Sequence, residues 1–372
     1  MTSEAQPAGA SPGRQAAGAG TPVPAAGPRP ADRGPARAAT RSGGAELFAY
    51  LTRKLSAAIV SFSVLLVIGF IIFNLMPADP IAALTRGRPT SAAQQAFLRK
   101  ELGLNQSVLQ QFGHFVWNTL RAKLGYSWQF QQPVSSLIAS RLWPTILLMG
   151  VSTVISIAAG MWLGIRSGWR PGSLLDRIAS GTSLTLWSVP TFWLGLILLV
   201  VFSVGLGPIP ALFPAGGMST PGTPGGLSVS HILDVTRHLV LPCLTLVLVI
   251  FAQYVTIMRS SMIDELGSPY LLTARAKGLR DAEVRRKHAV PNALLPSVTV
   301  IFLQLGGLIS GAIVVETVYS WPGLGFLTFQ ALQIPDLPVL EGTFIIFSAS
   351  VIIMNLLADL LYRYLDPRVR RQ

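Results

Sequence analysis

The chain has 372 residues, of which 51% are hydrophobic and only 12% are charged, with a mean hydropathy of +0.52. A soluble chain carries roughly a quarter charged residues, and here the apolar residues gather in blocks long enough to cross a hydrocarbon core of about 30 Å, which excludes a soluble globular protein. The net charge of +13 does not indicate nucleic acid, because Lys and Arg flank the apolar blocks, where they set topology and meet membrane lipid.

Residues 1–45 are Ala, Gly, Pro and Arg in the main, too poor in apolar surface to offset chain entropy, and read as a disordered cytoplasmic tail without a secretory signal core. Residues 46–76 hold the first transmembrane helix, an apolar block opened by Arg53 and Lys54 and closed by Met76 and Pro77. An external loop follows over 77–140. In it, Ser91 is placed to cap a short helix through Leu102, and Val108, Leu109, Phe112, Phe115, Val116 and Leu120 repeat at helical spacing on one face.

Residues 141–366 read as a five-helix core, with apolar blocks near 144–165, 179–206, 239–258, 294–317 and 343–362. Pro190 predicts a kink in the second of these blocks. The sole cysteine, Cys243, lies in an apolar block and reads as a packing residue, since no intrachain disulfide is possible. Residues 367–372 form a short tail. The expectation is an all-α membrane protein with six transmembrane helices.

Basic residues set the orientation. Arg166, Arg170 and Arg177 lie in one connection, and Arg259, Arg275, Lys277, Arg280, Arg285, Arg286 and Lys287 lie in another. The C-terminal end adds Arg363, Arg368, Arg370 and Arg371. Both termini are therefore expected in the cytoplasm. The external loop dissents, since it carries Arg86, Arg88, Arg99, Lys100, Arg121, Lys123 and Arg141, but it is long enough for the charge rule to lose force.

The inner-face loop, 263–292, is the most informative stretch. Ser268 is placed to N-cap a helix with Pro269 at its first position, Gly278 stands where it should stop, and Asp281 is placed to cap a second short helix that Pro291 ends. Tyr270, Leu271 and Ala274 share a face flanked by Arg275 and Lys277. Apolar anchors with a charged rim suit a helix laid into a partner's groove.

Here the sequence resembles the permeases of ABC-type importers, whose docking motif runs EAA, three residues, Gly, nine residues, then I-x-L-P. Gly278 and His288-Ala289-Val290-Pro291 keep the glycine-to-proline spacing, whereas Leu272-Thr273-Ala274 retains only the last alanine of EAA. The form Tyr270…Thr273-Ala274-Arg275-Ala276-Lys277-Gly278-Leu279 is similar to the variant in the dipeptide and oligopeptide permease family. Pro77-Ala78-Asp79-Pro80, Leu124-Gly125-Tyr126-Ser127 and Val315-Glu316-Thr317-Val318-Tyr319-Ser320-Trp321-Pro322-Gly323-Leu324-Gly325 resemble the same family.

The resemblance implies a type I ABC importer permease fold in the bacterial cytoplasmic membrane, with a cytoplasmic coupling-helix loop. Tyr270, Leu271, Ala274, Arg275, Lys277, Gly278, Leu279 and Pro291 would then dock the ATPase. It implies as partners a second, related permease subunit, one or two ABC ATPase subunits and an extracytoplasmic substrate-binding lipoprotein or periplasmic protein. Di- or oligopeptides would be the substrates; nickel- and glutathione-importing relatives share the architecture.

Other residues have simpler readings. Glu316 is expected to brace the turn that follows it, or to touch substrate. Asp359 is four residues from Arg363, the spacing of a local ion pair. Gly160 and Gly164, like Gly307 and Gly311, form small-xxx-small pairs for close packing, within the chain or against a second permease. Gln253, Gln304 and Asn355 are polar candidates for the pathway. The chain lacks a G-x-x-x-x-G-K-[ST] loop, offers no metal or catalytic constellation, and places no Asp, Glu, Lys or Arg near the middle of a spanning block. It is thus expected to bind no cofactor itself, with ATP held by the partner ATPase. The competing reading is an ion- or proton-coupled secondary transporter, which needs such buried charges.

Overall fold

In a bilayer the backbone must satisfy its own N–H and C=O groups, and long uncharged runs do so as helices. The computed structural model describes residues 43–74, 91–93, 106–223, 226, 228–305 and 308–365. The chain divides into two units, Met1–Tyr50 and Leu51–Gln372. Only the opening of helix α1 (Gly43–Asn74) is described in the first unit. The expected Ser91–Leu102 helix lies, past residue 93, outside the described residues.

Helix α2 (Val108–Leu120) starts at a full capping box, in which the Gln110 N–H donates to Ser107 Oγ and the Ser107 N–H donates to Gln110 Oε1. Its Phe112 and Phe115 rings lie 5.2 and 5.8 Å from the Phe70 ring of α1. A two-stranded hairpin, β1 (Tyr126–Ser127) with β2 (Gln132–Pro133), leads into α3 (Val134–Trp169). Asp336 holds this hairpin down, accepting from Ser127 Oγ at 2.7 Å and from the Gln129 N–H at 2.9 Å.

The block expected to kink at Pro190 is instead broken, with a bend of 100° between α4 (Leu174–Ser188) and α5 (Thr191–Leu199) with its π-helical extension to Gly205. The residue before a proline is driven out of helical geometry, and Val189 is extended at φ −79°, ψ 127°. Helix α6 (Val229–Leu266) is followed by α7 (Pro269–Ala276), α8 (Asp281–Val284), α9 (Val290–Leu305), α10 (Leu308–Val318), α11 (Leu324–Gln333) and α12 (Leu337–Leu365). At the far end of α12, Asp359 reaches Lys54 of α1 at 2.7 Å. That pairing lies across two helices, where the spacing to Arg363 had predicted a local one.

Among the described residues four helices are long and apolar enough to span a membrane: Phe48–Phe73, Val134–Trp169, Val229–Leu266 and Leu337–Leu360. The bent pair makes a fifth if it counts as one span. The block expected at 294–317 is α9 and α10, on either side of residues 306 and 307, which lie outside the described set.

Helices α3 and α6 pack backbone to backbone. A Cβ on Gly160, Gly164 or Gly168 would lie 2.6–2.7 Å from atoms of Tyr254, Met258, Met262 or Arg259, so the two backbones touch along three turns as small residues allow. The partner of the Gly160–Gly164 pair is therefore within this chain. Cys243 is buried near Leu148, Leu241 and Tyr319, as a packing residue.

Candidate functional site

The loop from Gly267 to Val290 is built from the ends inward. Helix α7 closes in a Schellman motif, in which the Leu279 N–H donates to the Ala274 carbonyl (3.4 Å) and the Gly278 N–H to that of Arg275 (2.9 Å). The corner residue Gly278 sits at φ +80° with no atom within 4 Å of where a Cβ would be. Glycine is required there by backbone conformation and not by space.

Two capping expectations are corrected. Ser268 stands at the N-cap of α7 without capping it; its hydroxyl donates to Glu265 (3.2 Å), the carboxylate that also accepts from the Tyr270 hydroxyl. Burial pushes the Tyr270 phenol above its ordinary pKa, and the bond to Glu265 adds to the rise. Arg280, not Asp281, is the N-cap of α8.

Pro291 does not end the second helix. The chain stays helical from α8 through a π turn, Arg285–Ala289, into α9, with the Val290 N–H donating to the Arg285 carbonyl. The widened turn lies directly before Pro291, where the proline's missing N–H interrupts the helical hydrogen-bond ladder. Lys287 pairs with Glu283 at 3.0 Å across this stretch and holds that carboxyl below its ordinary pKa.

The apolar face of α7 points inward. Leu271 is wholly buried and Ala274 nearly so, packed with Met258, Met262, Val284, Ala289 and Trp169, while Tyr270 and Leu279 lie half-buried at the edge. Leu271 and Ala274 weld the loop to the ends of α3 and α6, so their side chains face this chain rather than a partner. The free face is Leu272, 61% exposed, with Thr273, Arg275, Ala276 and Lys277, and Gly278 and Pro291 are exposed as well.

A polar tie secures the same joint. The indole N–H of Trp169 donates to Asp281 at 2.9 Å, and Arg275 lies 3.7 Å from the same carboxylate and 5.6 Å from the Trp169 ring. A second tie joins α6 to α4, where Arg259 grips Asp176 in a bidentate pair, Nη2 to Oδ2 being 3.0 Å. Trp169, Asp176 and Arg259 carry no motif that marks them as site residues in the sequence, beyond a tryptophan just past a basic helix end.

Glu316 braces the opposite turn. It is fully buried and accepts from Thr145 Oγ1 at 2.7 Å and from the Phe326 N–H at 3.0 Å. A Cβ on Gly323 would fall on its carboxylate. Trp321 donates its indole N–H to the Pro144 carbonyl at 2.9 Å, and the Tyr319 hydroxyl meets Thr245 Oγ1 at 2.9 Å and the Gly195 carbonyl at 3.0 Å. The segment 316–325 thus knots α3, α5, α6, α10 and α11 together.

The structure does not gather the pathway candidates into a described site. Gln253 is half-buried on α6, Asn355 is exposed on α12, and Gln304 lies on α9 with its side chain outside those described. Among the described residues no group of His, Cys, Asp and Glu is arranged to hold a metal ion.

The class defined by these features is a polytopic helical membrane protein with a short helix packed on the ends of two spanning helices. Residues 133–371 match the family described as binding-protein-dependent transport system inner membrane component, and residues 47–149 match the N-terminal domain of such membrane components. The chain is 35% identical over 335 residues to the dipeptide transport system permease protein DppB of Escherichia coli (strain K12), covering 87% of this chain and 99% of that protein. It is 38% identical over 322 residues to the glutathione transport system permease protein GsiC of Pectobacterium atrosepticum, covering 86% and 98%. A putative peptide permease of Brucella suis biovar 1 is 39% identical over 325 residues, covering 86% and 98%. A chain of the MetNI methionine ABC transporter, in inward facing conformations, superposes with a TM-score of 0.47 at 18% identity, over 62% of this chain and 96% of that one.

The chain belongs to the family of binding-protein-dependent transport system inner membrane components. It is a multi-pass inner-membrane permease subunit of an ABC importer, a transport component and not an enzyme, and it works with an ATPase and a substrate-binding protein. That membership decides against the self-contained ion- or proton-coupled carrier.

Proposed function

We propose that this subunit forms half of a translocation pathway for short peptides, with a second, related permease as the other half and both termini in the cytoplasm. The relatives named for dipeptide and glutathione transport support a peptide substrate class.

The observation that carries the mechanism is the division of α7 into a face buried in the α3–α6 joint and a face that leaves Leu272 and Lys277 exposed. In our reading the exposed face seats in a groove of the ATPase, and the buried face transmits its movement. The backbone contact at Gly160, Gly164 and Gly168 makes α3 and α6 one stiff element, so a pull on α7 moves both. Closure of the ATPases on ATP then turns the pathway from one side of the membrane to the other. ATP shifts this equilibrium only as far as it binds one state more tightly than the other.

Uptake of labelled di- and tripeptides and of glutathione, compared in cells with and without this chain, tests the substrate class. Loss of peptide uptake with ion uptake intact is the expected result; unchanged peptide uptake would overturn it.

A further inference from the structure

A spanning helix satisfies its own backbone, and a break in one leaves polar groups that lipid cannot pair. The break between α4 and α5 is such a place. No side chain caps α5, so the N–H groups of Thr191, Phe192 and Trp193 have no partner within the helix. The break also lies deep. Asp176, held by Arg259, marks the charged end of α4, and the helix rise from there to Ser188 is roughly 18 Å. Beyond the break the Gly195 carbonyl accepts from Tyr319, whose hydroxyl also meets Thr245 of α6. Thr245 is roughly 21 Å from Arg259 along α6. In a core of about 30 Å both lengths put the break well inside the bilayer.

At the 100° bend is an open cleft of about 670 Å³, lined by Leu184, Thr185 and Ser188 of α4, by Pro190, and by Phe192 and Trp193 of α5. That is room for a small ligand. Leu184, Phe192 and Trp193 are all more than half exposed, so no described part of this chain covers them. The cleft carries no fixed charge, and between Arg177 and Asp234 the sequence has no Asp, Glu, Lys or Arg. The Thr185 and Ser188 hydroxyls donate to the Gly181 and Leu184 carbonyls, each at 2.9 Å, which leaves each oxygen able to accept. Lipid could satisfy none of these groups. A helix of a second permease could not satisfy the backbone ones either, since its own N–H and C=O groups are already paired. Water and an extended peptide can.

We propose, on the reading that this chain conducts short peptides, that the α4–α5 break lines the translocation pathway and forms a subsite for a peptide in transit. The peptide backbone lies against Thr185 and Ser188, and its side chains lie on Phe192 and Trp193. An uncharged subsite suits passage, because a pathway must release what it binds, and it admits peptides of either charge.

The test uses the complete transporter, with its ATPase and substrate-binding protein, in proteoliposomes. In a Cys243→Ala background it carries Thr185→Cys or Ser188→Cys, both close in size to the residue replaced. Val60→Cys, 61% exposed at the middle of α1, is the lipid-facing control. A charged, membrane-impermeant thiol reagent on both sides should label positions 185 and 188 about tenfold faster than position 60, because it attacks the thiolate, which forms in water and not in hydrocarbon. A transported dipeptide should slow that labelling, and neutral, acidic and basic dipeptides should do so alike. Labelling at 185 and 188 no faster than at 60, or crosslinks from both positions to the second permease that persist through the ATP cycle, would overturn the proposal. So would fast labelling that a dipeptide taken up by the same vesicles leaves unchanged. If the vesicles take up no peptide, the substrate class fails and with it the occupant named here, while the labelling rates still support or refute the break as pathway lining.

Discussion

Replacing Gly278 separates two reasons for a glycine in a docking loop. Its φ of +80° lies in the left-handed region, and the space around it is open to 4 Å. A Cβ therefore meets no neighbour, and the penalty it brings is backbone strain of about 1–2 kcal/mol. Asn tolerates this region and a β-branched residue does not. If the loop docks only in this conformation, Gly278→Val should weaken ATPase binding about five- to thirtyfold. Gly278→Ala should do somewhat less and Gly278→Asn least. The assay is recovery of the ATPase with tagged permease across a dilution series, normalised to permease in the membrane fraction, which should not change. Equal losses for Asn and Val would refute the backbone argument. Full recovery with Val would refute the docking role of this corner.

Other substitutions probe the joints around that loop. Gly164→Leu would drive a side chain into Met258 and the Val255 carbonyl, 2.7 and 2.8 Å from its Cβ; overpacking of about 1–3 kcal/mol should lower the thermal midpoint of the purified complex, while Gly113→Ala, in open space, should not. Glu316→Ala strips the acceptor from Thr145 and the Phe326 N–H and should cost about 3 kcal/mol, read as earlier loss of the monodisperse peak after heating; an unchanged midpoint would contradict the bracing role. Trp169→Phe and Asp281→Ala each remove the same hydrogen bond, so each should weaken ATPase recovery about fivefold, and the double variant should be no worse than the more damaging single one.

Much of this architecture was legible because apolar block length and glycine position have direct physical meaning. The blocks around 55–76 and 343–362 became α1 and α12, and Gly278 became the Schellman corner. What periodicity cannot reveal is the surface an apolar face meets. Tyr270, Leu271 and Ala274 do share a face, but it is packed on Met258, Met262 and Trp169 of the same chain. The sequence likewise marks a proline without saying whether the chain kinks, breaks or continues. Pro190 breaks its span by 100°, while Pro291 is absorbed beside a π turn. Long-range partners such as Lys54 for Asp359 and Asp176 for Arg259 require the tertiary fold, because no local spacing encodes them.

The claim on which the mechanism rests is that the outward face of α7 meets the ATPase. In a complex carrying Cys243→Ala, single cysteines can replace Leu272, Lys277 and Leu271 in turn, followed by crosslinking with and without ATP. Leu272→Cys and Lys277→Cys should give adducts with the ATPase, whereas Leu271→Cys, at a position with no exposure, should give none. Absence of adducts from position 272, or its labelling only from outside the cell, would contradict the account.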